Sequence, residues 1–141
     1  MPIDFTETAR RALQFAVALA AHSGGKITLF YVARTRGADG TKSTMRLSFT
    51  QEETRSLVEQ LVEVMAHGDI PRSVEFRTLV KIGCPDTEFI VRAARSSNSD
   101  LIVMGTHGYS WWRHLGRTAA TERVVRTAPC AVLSVPEQIL T

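Results

Sequence analysis

The sequence predicts an α/β protein with a parallel sheet covered by helices on both faces. Three observations predict it. Apolar runs of strand length alternate with amphipathic helical patterns along the chain. Two of the runs, Lys26 to Ala33 and Leu101 to Met104, are nearly continuous in apolar residues, as strands buried on both faces are. The stretch from Asp100 to Val135, DLIVMGTHGYSWWRHLGRTAATERVVRTAPCAVLSV, reads as one βαβ unit in which a Gly-containing turn joins a strand to a helix. At 141 residues with 44% hydrophobic content, the chain has the size and core of one domain, residues 1–141.

The elements follow in order. Asp4 and Glu7 have capping-box spacing, with Thr6 as an alternative cap, ahead of Ala9, Ala12, Leu13, Ala16, Leu19 and Ala20 at helical spacing. Gly24-Gly25 supplies the left-handed turn that ends this helix. The strand KITLFYVA follows. Arg34 to Phe49 is polar, holds two glycines and shows no sustained period, which predicts a loop. Thr50 and Glu53 form a second capping box, leading into Leu57, Val58, Leu61, Val62 and Met65, with Gly68 as the stop. Val74, Phe76, Thr78 and Val80 alternate with Glu75, Arg77, Leu79 and Lys81, predicting a strand with one face less deeply covered.

Gly83-Cys84-Pro85-Asp86 turns the chain and places Asp86 to cap a third helix carrying Phe89, Ile90, Ala93 and Ala94 inward, ended by Ser96 to Ser99. Leu101 to Met104 is the next strand, Thr118 to Thr127 the fourth helix and Ala131 to Val135 the last strand, bracketed by Pro129 and Pro136. One feature departs from a doubly wound pattern: it opens on a helix. Pro2-Ile3-Asp4 reads as the last few residues of a strand whose body is absent. Unpaired backbone groups inside a sheet are costly. The expectation is therefore that apolar residues precede Pro2, lost by a miscalled start or a truncation, or that another segment fills the slot.

Composition narrows the function classes. The balance of 17 basic to 14 acidic residues gives a net charge of +3, spread along the chain rather than gathered in a tract, which lends little support to a nucleic-acid partner. The opening MPIDFTE does not resemble a signal peptide and no apolar run is long enough for a membrane span, so a cytoplasmic location and no membrane partner are expected. Cys84 and Cys130 sit in no CxxC and lack His at zinc-ligand spacing, which predicts reduced thiols and no metal site. No Ser/His/Asp set, paired carboxylates, HExxH or GK[ST] occurs, so a fast ATPase is not expected and the chain reads as a binding or signalling module rather than an enzyme.

The turn between strand and helix is the place where α/β proteins hold phosphate, because backbone N–H groups and the helix dipole converge there. Gly105 and Gly108 stand in that turn, and they also suit the tight exit that any buried strand needs. His107 lies between them. The adjacent Trp111 and Trp112 cannot both point inward from one helix face. Arg113, His114 and Arg117, with Lys81 and Arg34 near other strand ends, form a basic group suited to a triphosphate. Cys84 falls at the C-terminal edge of the sheet, beside the crevice where such folds bind ligands.

DLIVMGTHG, ERVVRTAPCAVLSV and the opening PIDFTETARRAL together resemble the universal stress protein family, in the same order over nearly the whole chain. The resemblance implies an open, doubly wound, five-stranded parallel sheet of order 3-2-1-4-5, Rossmann-like and of the adenine nucleotide alpha hydrolase type, with the first strand truncated here. It implies a homodimer paired through the last strand, here Ala131, Val132, Leu133, Ser134 and Val135. Some members bind ATP and others have lost the site. In binders the motif is Gly, two residues, Gly, nine residues, Gly, then Ser or Thr, with an Asp at the end of the first strand facing base and ribose.

Carried over, Asp4 is that Asp, Gly105 and Gly108 are the first two glycines, and Val32, Met104 and His107 complete the near half of the site. The closing Gly-Ser positions are taken by Thr118 and Ala119 when aligned without a gap. A shorter loop would use Gly116, Arg117 and Thr118 instead, restoring a Gly and a hydroxyl. Both alignments stand. Thr118 lacks the freedom of Gly at positive φ, and Ala119 lacks a hydroxyl donor. Two readings follow: a nucleotide-responsive stress protein holding ATP or AMP with magnesium, or a dimerisation and partner-interaction module of the same fold that holds none.

Overall fold

The structure, a computed structural model, describes residues 1–4, 6–33, 51–83, 86–106 and 119–136. The first helix, α1 (Glu7–Ser23), starts at Thr6, whose hydroxyl accepts from the Ala9 N–H at 3.2 Å. Of the two caps the spacing allowed, Thr6 is the one used. Asp4 braces it: its Oδ1 accepts from the Thr6 N–H at 3.1 Å and from the Thr6 hydroxyl at 2.6 Å. The helix ends on Gly24 at φ 67°, with the Gly25 N–H donating to the Ala20 carbonyl at 3.0 Å. Leu19, expected inward, is exposed, because the buried stripe of α1 runs through Ala9, Ala12, Leu13, Ala16 and Ala20.

Strand β1 (Ile27–Ala33) pairs in parallel with β2 (Phe76–Ile82), from Ile27 opposite Phe76 to Ala33 opposite Ile82. Between them, α2 (Gln51–Asp69) buries only Val62 and Ala66, with Val58 half-buried beside them. This corrects the expected inward face: Leu57, Leu61 and Met65 are exposed, Leu61 at 62%. The sheet beneath is two strands wide and takes a narrow stripe of a helix that is apolar over more than one face. Gly68 does not stop α2, which runs through to Asp69 and is closed by the buried Ile70, whose N–H donates to the Ala66 carbonyl at 2.8 Å. The expected cap Thr50 and the loop 34–49 lie outside the described residues.

Helix α3 (Thr87–Ser96) starts as expected on Asp86, whose carboxylate accepts from the Glu88 N–H at 3.3 Å. Strand β3 (Leu101–Gly105) pairs in parallel with β4 (Ala131–Val135), joined through α4 (Ala119–Thr127). Period-two alternation divides the strands between two cores. Leu29 of β1 and Val103 of β3 enter one core with α1 and α2, while Phe30, Ile102 and Met104 enter the other with α3 and α4. Each core draws on both pairs of strands, so the pairs share one layer with helices on both faces, as the alternating pattern predicts.

The strand order is β1-β2 and β3-β4 in two separate parallel sheets. Met1 to Ile3 add a short parallel ladder to the free edge of β1. The Met1 nitrogen donates to the Thr28 carbonyl at 2.8 Å, the Phe30 N–H to the Met1 carbonyl at 2.8 Å, and the Ile3 N–H to the Phe30 carbonyl at 2.9 Å. Pro2 bridges Phe30 in parallel, and Asp4 follows directly on the last of these bonds. No helix of the described residues is long and apolar enough to cross a membrane.

Candidate functional site

The C-terminal ends of this short strand, of β1 and of β3 converge on the first turn of α1. Asp4 leaves the strand one residue after the last ladder bond, and Thr6 starts the helix. Because Oδ1 takes two bonds from Thr6, the carboxylate is held in one orientation. Its second oxygen, Oδ2, is buried and has no hydrogen-bond partner among the described residues. A buried carboxylate oxygen without a donor is costly. A hydroxyl or N–H group brought to this point would relieve that cost.

Gly105 closes the other side. A Cβ at Gly105 would lie 2.6 Å from Thr8 Cγ2 and 3.4 Å from the Thr8 carbonyl carbon. Thr8 is itself buried, so the first turn of α1 rests on the backbone of Gly105. This glycine is required by the packing of α1 whether or not a ligand binds. One residue on, the Thr106 N–H donates to the Val135 carbonyl at 2.9 Å and extends the β3-β4 pairing to the edge.

Val32 and Met104 have buried side chains in the core with α3 and α4, at 7% and 1% exposure. What they can offer a ligand is backbone. Val32 lies in register with Lys81 of β2, whose side chain is exposed, so one cation of the expected basic group stands near this edge. Arg34, Arg113, His114 and Arg117 lie outside the described residues, as do His107, Gly108, Gly116, Thr118, Trp111, Trp112 and Cys84. Ala119 is the first residue of α4. The structure therefore brings Asp4, Gly105 and the backbone of Val32 and Met104 to one edge.

Sequence reasoning missed two contributors. Thr6 was legible as a cap but not as the group that fixes the Asp4 carboxylate, and nothing in the sequence signals that Thr8 and Gly105 touch across the fold. Cys130, at the entry to β4, is a free, half-buried thiol; burial first, and the Asp100 carboxylate second, push its pKa above the ordinary thiol value. Raised in this way, it is a weak nucleophile at neutral pH. No group of three His, Cys, Asp or Glu suited to a metal ion occurs among the described residues.

Comparison with known proteins shows the family and the fold. The model of the family described as the universal stress protein family matches residues 1–136. A Staphylococcus aureus protein named as a universal stress protein is 29% identical over 139 residues, covering 94% of this chain and 80% of its own. A crystal structure from that family in Burkholderia pseudomallei is 28% identical, with a TM-score of 0.60 over 96% of this chain and 92% of that one. Another solved structure, a universal stress protein in complex with cAMP, shares the fold at 19% identity and a TM-score of 0.60, covering 98% of this chain and 95% of that one.

Proposed function

Since this chain belongs to the universal stress protein family, we propose that it is a cytoplasmic stress-response protein that binds ATP or AMP at the edge formed by Asp4, β1 and β3. The observation that carries the reading is the Asp4 carboxylate, fixed by Thr6 through one oxygen and left with the other buried and without a partner among the described residues. A ribose hydroxyl or a base N–H supplies the missing donor. The binding of cAMP by a protein of the same fold supports the same ligand class.

In this reading the backbone of Val32 contacts the adenine, and that of Met104 and Gly105 borders the ribose and α-phosphate. His107, Gly108, Gly116, Arg117 and Thr118, with the N-terminus of α4 at Ala119, hold the phosphates, magnesium accompanying ATP. The residues serve binding, and no group is assigned to bond making or breaking. Calorimetric titration with ATP and magnesium, and separately with AMP, tests it. Saturable heat at one nucleotide per chain, with a rise in melting temperature, is expected; no heat and no shift at millimolar nucleotide would end this reading.

The second reading, a dimerisation or partner-interaction module without nucleotide, draws on one observation. Ala119 of α4 stands where the ungapped alignment puts the closing Ser or Thr, and it has no hydroxyl to offer a phosphate. In both readings the chain pairs as a homodimer through β4. Ala131 and Ser134 of β4 are exposed, Val132 and Leu133 are half-buried, and Val135 is buried. Among the described residues β4 pairs only with β3, and an open edge of this kind is usually covered or paired. Leu133→Lys is expected to shift the protein toward monomer in sedimentation, and an unchanged dimer would reject this interface.

A further inference from the structure

Helix α2 carries a second apolar stripe on the side away from the sheet. Leu57, Leu61 and Val64 recur at spacings of four and three residues and lead to Gly68, the repeat of a two-helix seam. Leu61 and Val64 are the most exposed large apolar side chains among the described residues. The buried stripe of the same helix, through Val62 and Ala66, serves the core over β1 and β2, so the core makes no use of the outer one.

Gly68 is a second observation at the same face. It lies in the last turn of α2 without a positive φ, so the end of the helix does not require glycine there, and glycine weakens a helix relative to alanine. A Cβ placed on it would meet nothing within 4 Å, so no internal contact requires it either. What its bare backbone does allow is close approach from outside.

The groups along one flank of the stripe select the occupant. Glu53, Gln60 and His67 follow one another at intervals of seven residues and so line the same side of the seam. Glu53 belongs, with Glu52, to an acidic first turn. At the other end His67 stands edge to face on Phe76, with ring centroids 5.1 Å apart, and shares a cavity of about 610 Å³ with Arg72 and Ile70. A parallel second helix of the same sequence would set Glu53 beside Glu53. An antiparallel one sets Glu53 beside His67 at both ends.

We propose that the outer face of α2 is a self-association surface, occupied by α2 of a second copy of this chain lying antiparallel about a two-fold axis beside Gln60. Leu57 of each copy packs on Leu61 of the other, and Thr54 on Val64. Gln60 meets its own equivalent across the axis. The acidic first turn of each copy passes over Gly68 of the other and reaches His67 and Arg72. The contact is isologous, so it closes on two copies. It lies over β1 and β2 and is separate from the edge of β4, so it joins whatever unit that edge forms into pairs.

Sedimentation over a range of concentrations tests it with Leu61→Glu. Leu61 lies outside the core, so the dilute variant is expected to keep its melting temperature. At the highest concentration it is expected to reach about half the mass of the unmodified chain, since one closed two-fold contact is lost. Equal masses would overturn the proposal. Cross-linking with a short bis-maleimide tests the direction. Gln60→Cys is expected to link to its own equivalent at least tenfold faster than Glu53→Cys does. Equal rates, or a faster link at Glu53→Cys, would overturn the antiparallel pairing. Both readouts are independent of nucleotide.

Discussion

Leu13→Ala is expected to destabilise the protein by about 2–5 kcal/mol, the range for truncating a fully buried aliphatic residue that leaves a cavity behind. Leu13 is 1% exposed and sits in the core that joins α1 to β1, β3 and α2. The matching expectation is that Leu61→Ala changes stability by less than ~0.5 kcal/mol. Leu61 is 62% exposed on the outer side of α2. Urea unfolding of both variants measures the contrast. A cost at Leu61 similar to that at Leu13 would mean that α2 turns a different face to the sheet.

Gly105→Ala is expected to cost about 1–3 kcal/mol, since the added Cβ would sit 2.6 Å from Thr8 Cγ2 within a packed core. The contact is between a strand end and the first turn of α1, and Thr8 is buried and β-branched, so it has little freedom to turn aside. Thr8→Ser removes Cγ2. The double variant Gly105→Ala with Thr8→Ser is therefore expected to recover more than half of the loss, as a positive coupling in a double-mutant cycle. Strictly additive losses would show that the glycine is needed for some other reason. The same cycle bears on the motif itself, because it separates the glycine's role in seating α1 from any role in approaching a phosphate.

Most element positions were legible because each has a local cause. β1 is a continuous run of apolar and β-branched residues, α3 starts on a capping aspartate, and Gly24 ends α1 in the left-handed conformation. The inward face of α2 was not legible. Leu57, Val58, Leu61, Val62, Val64 and Met65 cover more than one stripe, and which stripe is buried depends on the width of the sheet that the helix meets. The family resemblance carried the expectation of five strands in the order 3-2-1-4-5. The structure pairs four strands two by two and adds Met1 to Ile3 to β1.

At the candidate site, Asp4 was legible as the residue that ends a strand, and its placement follows from the ladder before it and the cap after it. The unpaired state of its Oδ2 was not, since that depends on burial by residues distant in sequence. The contact of Thr8 with Gly105 spans the fold and leaves no periodic or local trace. The closing half of the phosphate motif, from Gly108 to Thr118, lies outside the described residues.

Asp4→Asn tests the central claim most directly. Asparagine keeps an oxygen for the Thr6 N–H and hydroxyl, so the start of α1 is retained, while the buried Oδ2 acceptor becomes an amide donor. A hydrogen bond to a charged group contributes about 1.5–3 kcal/mol. Titrated with ATP and magnesium beside the unmodified chain, Asp4→Asn is expected to bind at least about tenfold more weakly, with no fall in the melting temperature of the nucleotide-free protein. Equal affinity in the two chains would contradict the account.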